Sequence, residues 1–128
     1  MASKSTSGEN LTLLEKYGWV TSVRVIQHFY EDVIKDPLLS HLFRRVNIGD
    51  LAEHQVEVLT MVMGGRRGPG PDRIHGVHVR LEISDEQFDA MLGHLRARLL
   101  SNGFESSDTD RIISSYRGYQ QAVVAGAS

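Results

Sequence analysis

Between Val20 and Ile34 apolar side chains return every three or four positions, at Val23, Ile26, Phe29, Tyr30 and Val33. That spacing puts them on one face of a helix. Pro37 ends the run, because the residue before a proline is pushed out of the helical region. Proline itself suits a first helical turn, so Pro37 to Phe43 reads as a short second helix entering a corner. A third helix is expected from about Asp50 to Met63, with Leu51, Gln55, Val58, Leu59 and Val62 on one stripe, and Gly64-Gly65 stops it. The loop from Gly64 to Asp72 holds Pro69 and Pro71 and excludes regular structure, which leaves only about one or two helical turns around Arg73 to Val79.

Order resumes at Ser84-Asp85-Glu86-Gln87, a capping box in which serine and glutamine each satisfy the other's free backbone donor. It opens a helix carrying Phe88, Met91, Leu92, Leu95 and Leu99, which Asn102-Gly103 closes. Ser107 or Asp108 is then expected to cap a last helix with Ile112, Ile113, Tyr116, Tyr119 and Val123 inward. No alternating strand pattern and no internal repeat interrupts this series. The expectation is an all-α chain, with two long N-terminal and two long C-terminal helices around a poorly helical middle.

The 128 residues suffice for one domain with a core and one cofactor, read here as residues 11–125 behind a disordered tip at 1–10. A formal charge of −2 sets up no field for nucleic acid or an anionic membrane. No run approaches the roughly 20 apolar residues of a membrane span, and the polar start lacks the apolar core of a secretion signal. A cytoplasmic protein is expected. Without cysteine, disulfides and thiolate sites are excluded, which leaves six histidines and the carboxylates as the strong metal ligands.

A long Gly/Pro loop that delivers one short turn bearing His75 and His78 is more usual for a site than for plain packing. His78 on that turn, with Phe29-Tyr30, the isolated Phe43 and Gln55 upstream, has the ingredients of a haem pocket: a nitrogen ligand, an apolar slot and a few donors. The plainer reading of His78 is a surface or satisfied core histidine. Gln55 and Tyr30 both lie on inward stripes, where an unpartnered polar group costs about 1–3 kcal/mol, so each needs a partner. They can bond each other or the backbone, or they can meet a ligand. His54 stands about 100° from Gln55 around the helix axis and either faces solvent or swings onto a metal as a sixth ligand. A haem-free domain holding zinc on His75 and His78 is a further alternative, although the two lack additional ligands nearby.

Several of these stretches, in this order, resemble the truncated haemoglobins, and most closely the first group of that family. The resemblance runs from about Leu13 to Val123. Leu14-Glu15-Lys16-Tyr17-Gly18 is similar to the family's short opening helix and glycine motif, with Trp19 in place of the usual second glycine. Phe29-Tyr30-Glu31-Asp32-Val33 and Asp36-Pro37-Leu38-Leu39 resemble the stretch bearing the distal tyrosine, Phe43 the phenylalanine that packs on the haem, and Gly64-Gly65 the motif ending the distal helix. The run from His78 to Phe88 resembles the proximal-histidine signature. Arg66-Arg67-Gly68-Pro69-Gly70-Pro71 departs from the family's aromatic-then-glycine step, and no histidine follows His94 to form the covalent haem link of some relatives.

The resemblance implies a two-over-two helical sandwich of globin type holding one haem b, with His78 on the iron and Phe43 stacked on the macrocycle. Leu51, Val58, Leu59, Val77, Leu81, Phe88 and Leu92 are its implied enclosure, His54 borders the cavity, and Arg73 or Arg80 with His75 are placed to meet the propionates. Tyr30 and Gln55 would donate to dioxygen or another diatomic gas. A hydrogen bond to a charged acceptor contributes about 1.5–3 kcal/mol, so two of them slow release enough to disfavour a carrier. The implied activity is tight oxygen binding, with oxidation of nitric oxide to nitrate as a candidate reaction served by an unidentified reductase. The alternative is a bis-histidyl haem protein in electron transfer or sensing.

Overall fold

The computed structural model describes residues 11–64 and 83–120. These form five α-helices, α1 (Leu13–Tyr17), α2 (Trp19–Val33), α3 (Ile48–Val62), α4 (Asp85–Ser101) and α5 (Ser106–Arg117), with a 3-10 turn at Ser40–Phe43. No strand occurs among the described residues. Helix α2 packs on both α3 and α4, and α4 on α5, which lays one helix pair over the other. This is the expected two-over-two arrangement. The tip at 1–10, the Gly/Pro loop beyond Gly64, the turn around Arg73 to Val79 and the last residues of the 11–125 domain lie outside the described residues.

Local side-chain bonds fix where α1, α3 and α4 begin. The Ser84 hydroxyl accepts the Gln87 amide at 3.1 Å, and Gln87 Oε1 accepts the Ser84 amide at 2.9 Å, so the capping box read from sequence opens α4. Thr12 and Glu15 build the same box on α1. Helix α3 starts before the expected Asp50 because Asn47 Oδ1 accepts the Asp50 amide at 3.0 Å, which draws Ile48 and Gly49 into the first turn. Between Pro37 and Phe43 only Ser40–Phe43 is helical, and it is 3-10. There the Asp36 carboxylate accepts the Leu38 amide at 2.9 Å, holding the chain in a turn instead of a helix.

Helix α5 corrects the expected cap. It begins at Ser106 after Glu105, with no side-chain bond to the cap, and neither Ser107 nor Asp108 plays that part. Asp108 is buried and reaches back to α1, accepting from Lys16 Nζ at 2.7 Å and from the Tyr17 hydroxyl at 2.5 Å. Tyr17 also stacks on Phe104, with ring centroids 3.9 Å apart. The short first helix is thus riveted to the last.

An ion pair and a hydrogen bond join α2 and the turn after it to α4. Arg98 grips Asp32 through two nitrogens at 2.6 and 2.9 Å, and His94 meets Asp36 at 2.7 Å. The core between the helix pairs contains Ile26, Val33, Leu39, Leu59, Ile83, Leu99 and Ile112, all closed to solvent. On α2 the buried stripe takes Val25, whereas the expected Val23 stays half-buried at its edge. At the far end of α3, the Leu14 amide bonds the Met63 carbonyl at 2.9 Å, and Gly64 follows at φ +92°.

Candidate functional site

The two helix pairs do not close completely on each other. They leave a cavity walled by residues of four helices and the corner turn. Helix α2 contributes Ile26, Phe29 and Tyr30 to its wall, the 3-10 turn Phe43, and α3 Gln55 and Val58. Helix α4 adds Phe88, Met91, Leu92 and Leu95, α5 adds Tyr116, and Tyr119 follows in the turn past its end. The wall is therefore apolar and aromatic, with four polar tips.

Three of the tips, Tyr30, Gln55 and Tyr116, arrive by helix periodicity. Tyr30 sits one turn after Ile26 on the inward stripe of α2 and is 5% exposed, held edge to face by Phe29 and Phe43. Gln55, one turn after Leu51, is buried on α3. Tyr30 and Gln55 thus face one cavity from α2 and α3. Burial pushes the Tyr30 phenol well above its ordinary pKa, and the neighbouring Tyr116 adds to the shift. Burial likewise raises Tyr116, helped by Tyr119. Both phenols are consequently neutral donors at any physiological pH.

Of the residues singled out in the sequence, Tyr30, Phe43, Gln55, Val58, Phe88 and Leu92 come together on this cavity. Leu51 and Leu59 are buried in the core without lining it. His54 is 7% exposed, which rules out its solvated reading, and its Nδ1 lies 3.9 Å from the Glu57 carboxylate. It does not line the cavity. His78, Arg73, His75, Val77, Arg80 and Leu81 lie outside the described residues.

Phe29, read in the sequence with Tyr30 as part of a pocket, lines it too, and so do residues that sequence reasoning had placed only in the core: Ile26, Met91, Leu95 and Tyr119, and above all Tyr116. Tyr116 shares the signal that had marked Tyr30 and Gln55, a polar tip on an otherwise apolar stripe one turn after Ile112. Its hydroxyl is buried without a hydrogen-bond partner.

The chemistry of this lining suits a haem. Three phenylalanines line the cavity beside aliphatic side chains, as an apolar macrocycle would require, and polar side chains are present for a small guest. Among the described residues no histidine lines the cavity, and no cluster of three or more histidine or acidic side chains forms another metal site.

Comparison with known proteins agrees with this geometry. The bacterial-like globin family model matches residues 12–124. A group 1 truncated haemoglobin of Synechocystis is 32% identical over 97 residues, 72% of this chain and 78% of that protein. The truncated haemoglobin of Tetrahymena pyriformis in its Fe(III) form superposes with a TM-score of 0.79 at 21% identity, over 89% of this chain and 98% of that one. The haemoglobin of Chloroflexus aurantiacus superposes with a TM-score of 0.73 at 29% identity, over 89% and 98%.

Proposed function

The chain belongs to the bacterial-like globins, and from that premise we propose that it binds one haem b through His78 and holds dioxygen tightly in the cavity between its helix pairs. The observation that carries this reading is the cavity wall itself, apolar along α2, α3 and α4 yet tipped by Tyr30 and Gln55. When bound, the haem supplies an iron that takes a diatomic gas and exchanges single electrons.

The chain's own residues do the remaining work. Phe43, fixed against Tyr30, presents a ring to the macrocycle, while Val58, Phe88 and Leu92 keep water from it. Tyr30 and Gln55 donate hydrogen bonds to the guest, and each donor gains from the low dielectric of the closed cavity. Two charge-assisted bonds of about 1.5–3 kcal/mol each hold a gas too firmly for a carrier that must unload. Retention suits a protein that presents dioxygen to a second reactant. Nitric oxide, dioxygen and one electron give nitrate, the electron coming from a reductase, and we assign this reaction to the chain working in the cytoplasm. No helix among the described residues is long and apolar enough to cross a membrane.

A second reading is favoured by one observation, the burial of His54 beside Gln55 on α3. In it His54 serves as a sixth ligand and the protein transfers electrons or senses gas. Because His54 is turned about 100° from Gln55 and does not line the cavity, that reading requires α3 to rotate or shift. Titration of haem into the haem-free protein tests the main proposal: saturation at one haem per chain supports it, and the absence of a saturable site refutes it.

A further inference from the structure

Tyr116 is the polar group of the cavity that the function above leaves without a task. It stands on α5 beside the α4 residues Leu92 and Leu95, is 8% exposed, and its hydroxyl is buried with no hydrogen-bond partner. A buried hydroxyl without a partner destabilises a fold, and phenylalanine would complete the same apolar wall without that cost. The hydroxyl is therefore placed to meet something that enters the cavity.

The surroundings restrict what that guest can be. No lysine or arginine is among the described residues of the wall, so a carboxylate or phosphate at Tyr116 would be buried without a counter-charge. A phenol held neutral by burial donates a proton to a hydrogen bond and needs an acceptor. The fitting guest is small, carries no net charge and has an acceptor oxygen. Tyr30 reaches the same space from the opposite helix pair.

We propose that Tyr116 is a second tyrosine donor to dioxygen, bonding from α5 the guest that Tyr30 bonds from α2, so that the gas is held between the two helix pairs. The inference rests on the cavity being the gas site. It makes the closure of one helix pair on the other part of oxygen retention.

The test uses the haem-loaded protein and measures oxygen dissociation by stopped flow in Tyr116→Phe, Tyr30→Phe and the double variant. It adds urea unfolding of the haem-free forms. Tyr116→Phe should release oxygen about threefold to tenfold faster, as expected for one lost hydrogen bond. The double variant should depart from the product of the single effects, because both hydroxyls act on one guest. Haem-free Tyr116→Phe should resist urea at least as well as the wild type, since it loses only an unbonded hydroxyl.

Oxygen release at the wild-type rate in Tyr116→Phe, with faster release in Tyr30→Phe, overturns this inference and leaves the gas site intact. Wild-type rates in both single variants and in Gln55→Leu defeat the gas-site reading itself. Single effects that simply multiply place Tyr116 outside the shared guest and also overturn the inference. A less stable haem-free Tyr116→Phe does the same, by showing that the hydroxyl is bonded within the protein.

Discussion

Tyr30 and Phe43 meet edge to face, with ring centroids 5.9 Å apart and planes at 84°. The contact ties α2 to the corner turn, and Phe29 braces the other side of the same phenol at 4.9 Å and 76°. A side chain held between two rings has little rotamer freedom left to lose, so its hydroxyl is preorganised for a guest. The residue proposed to stack on the cofactor thus also aims the residue proposed to hold the gas.

Removing that hydroxyl while keeping the ring isolates its contribution. In Tyr30→Phe and in Gln55→Leu, oxygen should dissociate about tenfold faster or more, in line with the loss of a bond worth at least about 1.5 kcal/mol. Rapid mixing with an oxygen scavenger measures the rate. Values within about twofold of the wild type in both variants contradict the assigned roles.

The buried position of His54 makes its coordination state a separate prediction. With Tyr30 and Gln55 already supplying the polar contacts, the ferric haem-loaded protein should be high-spin or water-ligated near neutral pH, and His54→Leu should barely alter its absorption spectrum. A low-spin spectrum that becomes high-spin in His54→Leu establishes the bis-histidyl alternative.

Much of this architecture was legible in the sequence because periodicity and caps are local. The stripe through Ile26, Phe29, Tyr30 and Val33 and the Ser84–Gln87 box depend on residues within a turn or two, and both occur as read. Asp108 was misread as a cap candidate because its partners, Lys16 and Tyr17, lie at the other end of the chain. Tyr116 was read as plain core for a related reason: one stripe cannot show whether its hydroxyl will find a partner on another helix. Gln55 and Tyr30 stood out only because a polar tip on an apolar stripe is visible within a single helix.

The docking of α1 on the end of α3 predicts a difference between two glycines. Gly64 has φ +92°, and a Cβ there would lie 2.9 Å from Thr12 Cβ, whereas Gly103, at φ +93°, faces open space. Gly103→Ala should lose about 1 kcal/mol from backbone strain alone, and Gly64→Ala about 2 kcal/mol or more because Thr12 must also move. Urea midpoints compare them. Equal losses contradict the packing of Thr12 on Gly64.

Acid stability follows from the carboxylates that bind the helices together. The hydrogen bond from Lys16, with that from Tyr17, holds Asp108 below its ordinary pKa, and Arg98 lowers Asp32 in the same way. A carboxylate with a depressed folded pKa contributes stability fully above its unfolded value of about 3.9 and loses it as pH falls through the folded value. Urea midpoints should therefore hold steady down to roughly pH 4 and drop below it. Asp108→Asn should start from a lower midpoint and lose less on acidification. A variant curve parallel to the wild type across that range contradicts the Asp108 assignment.

The most direct measurement is the absorption spectrum of haem-loaded His78→Gly, recorded ferric and ferrous beside the wild type and His75→Gly. The account predicts that the wild type and His75→Gly retain one haem with matching Soret bands. His78→Gly should lose the haem or recover the wild-type spectrum only when imidazole is added. A wild-type spectrum in His78→Gly without imidazole, together with haem loss in His75→Gly, would contradict it.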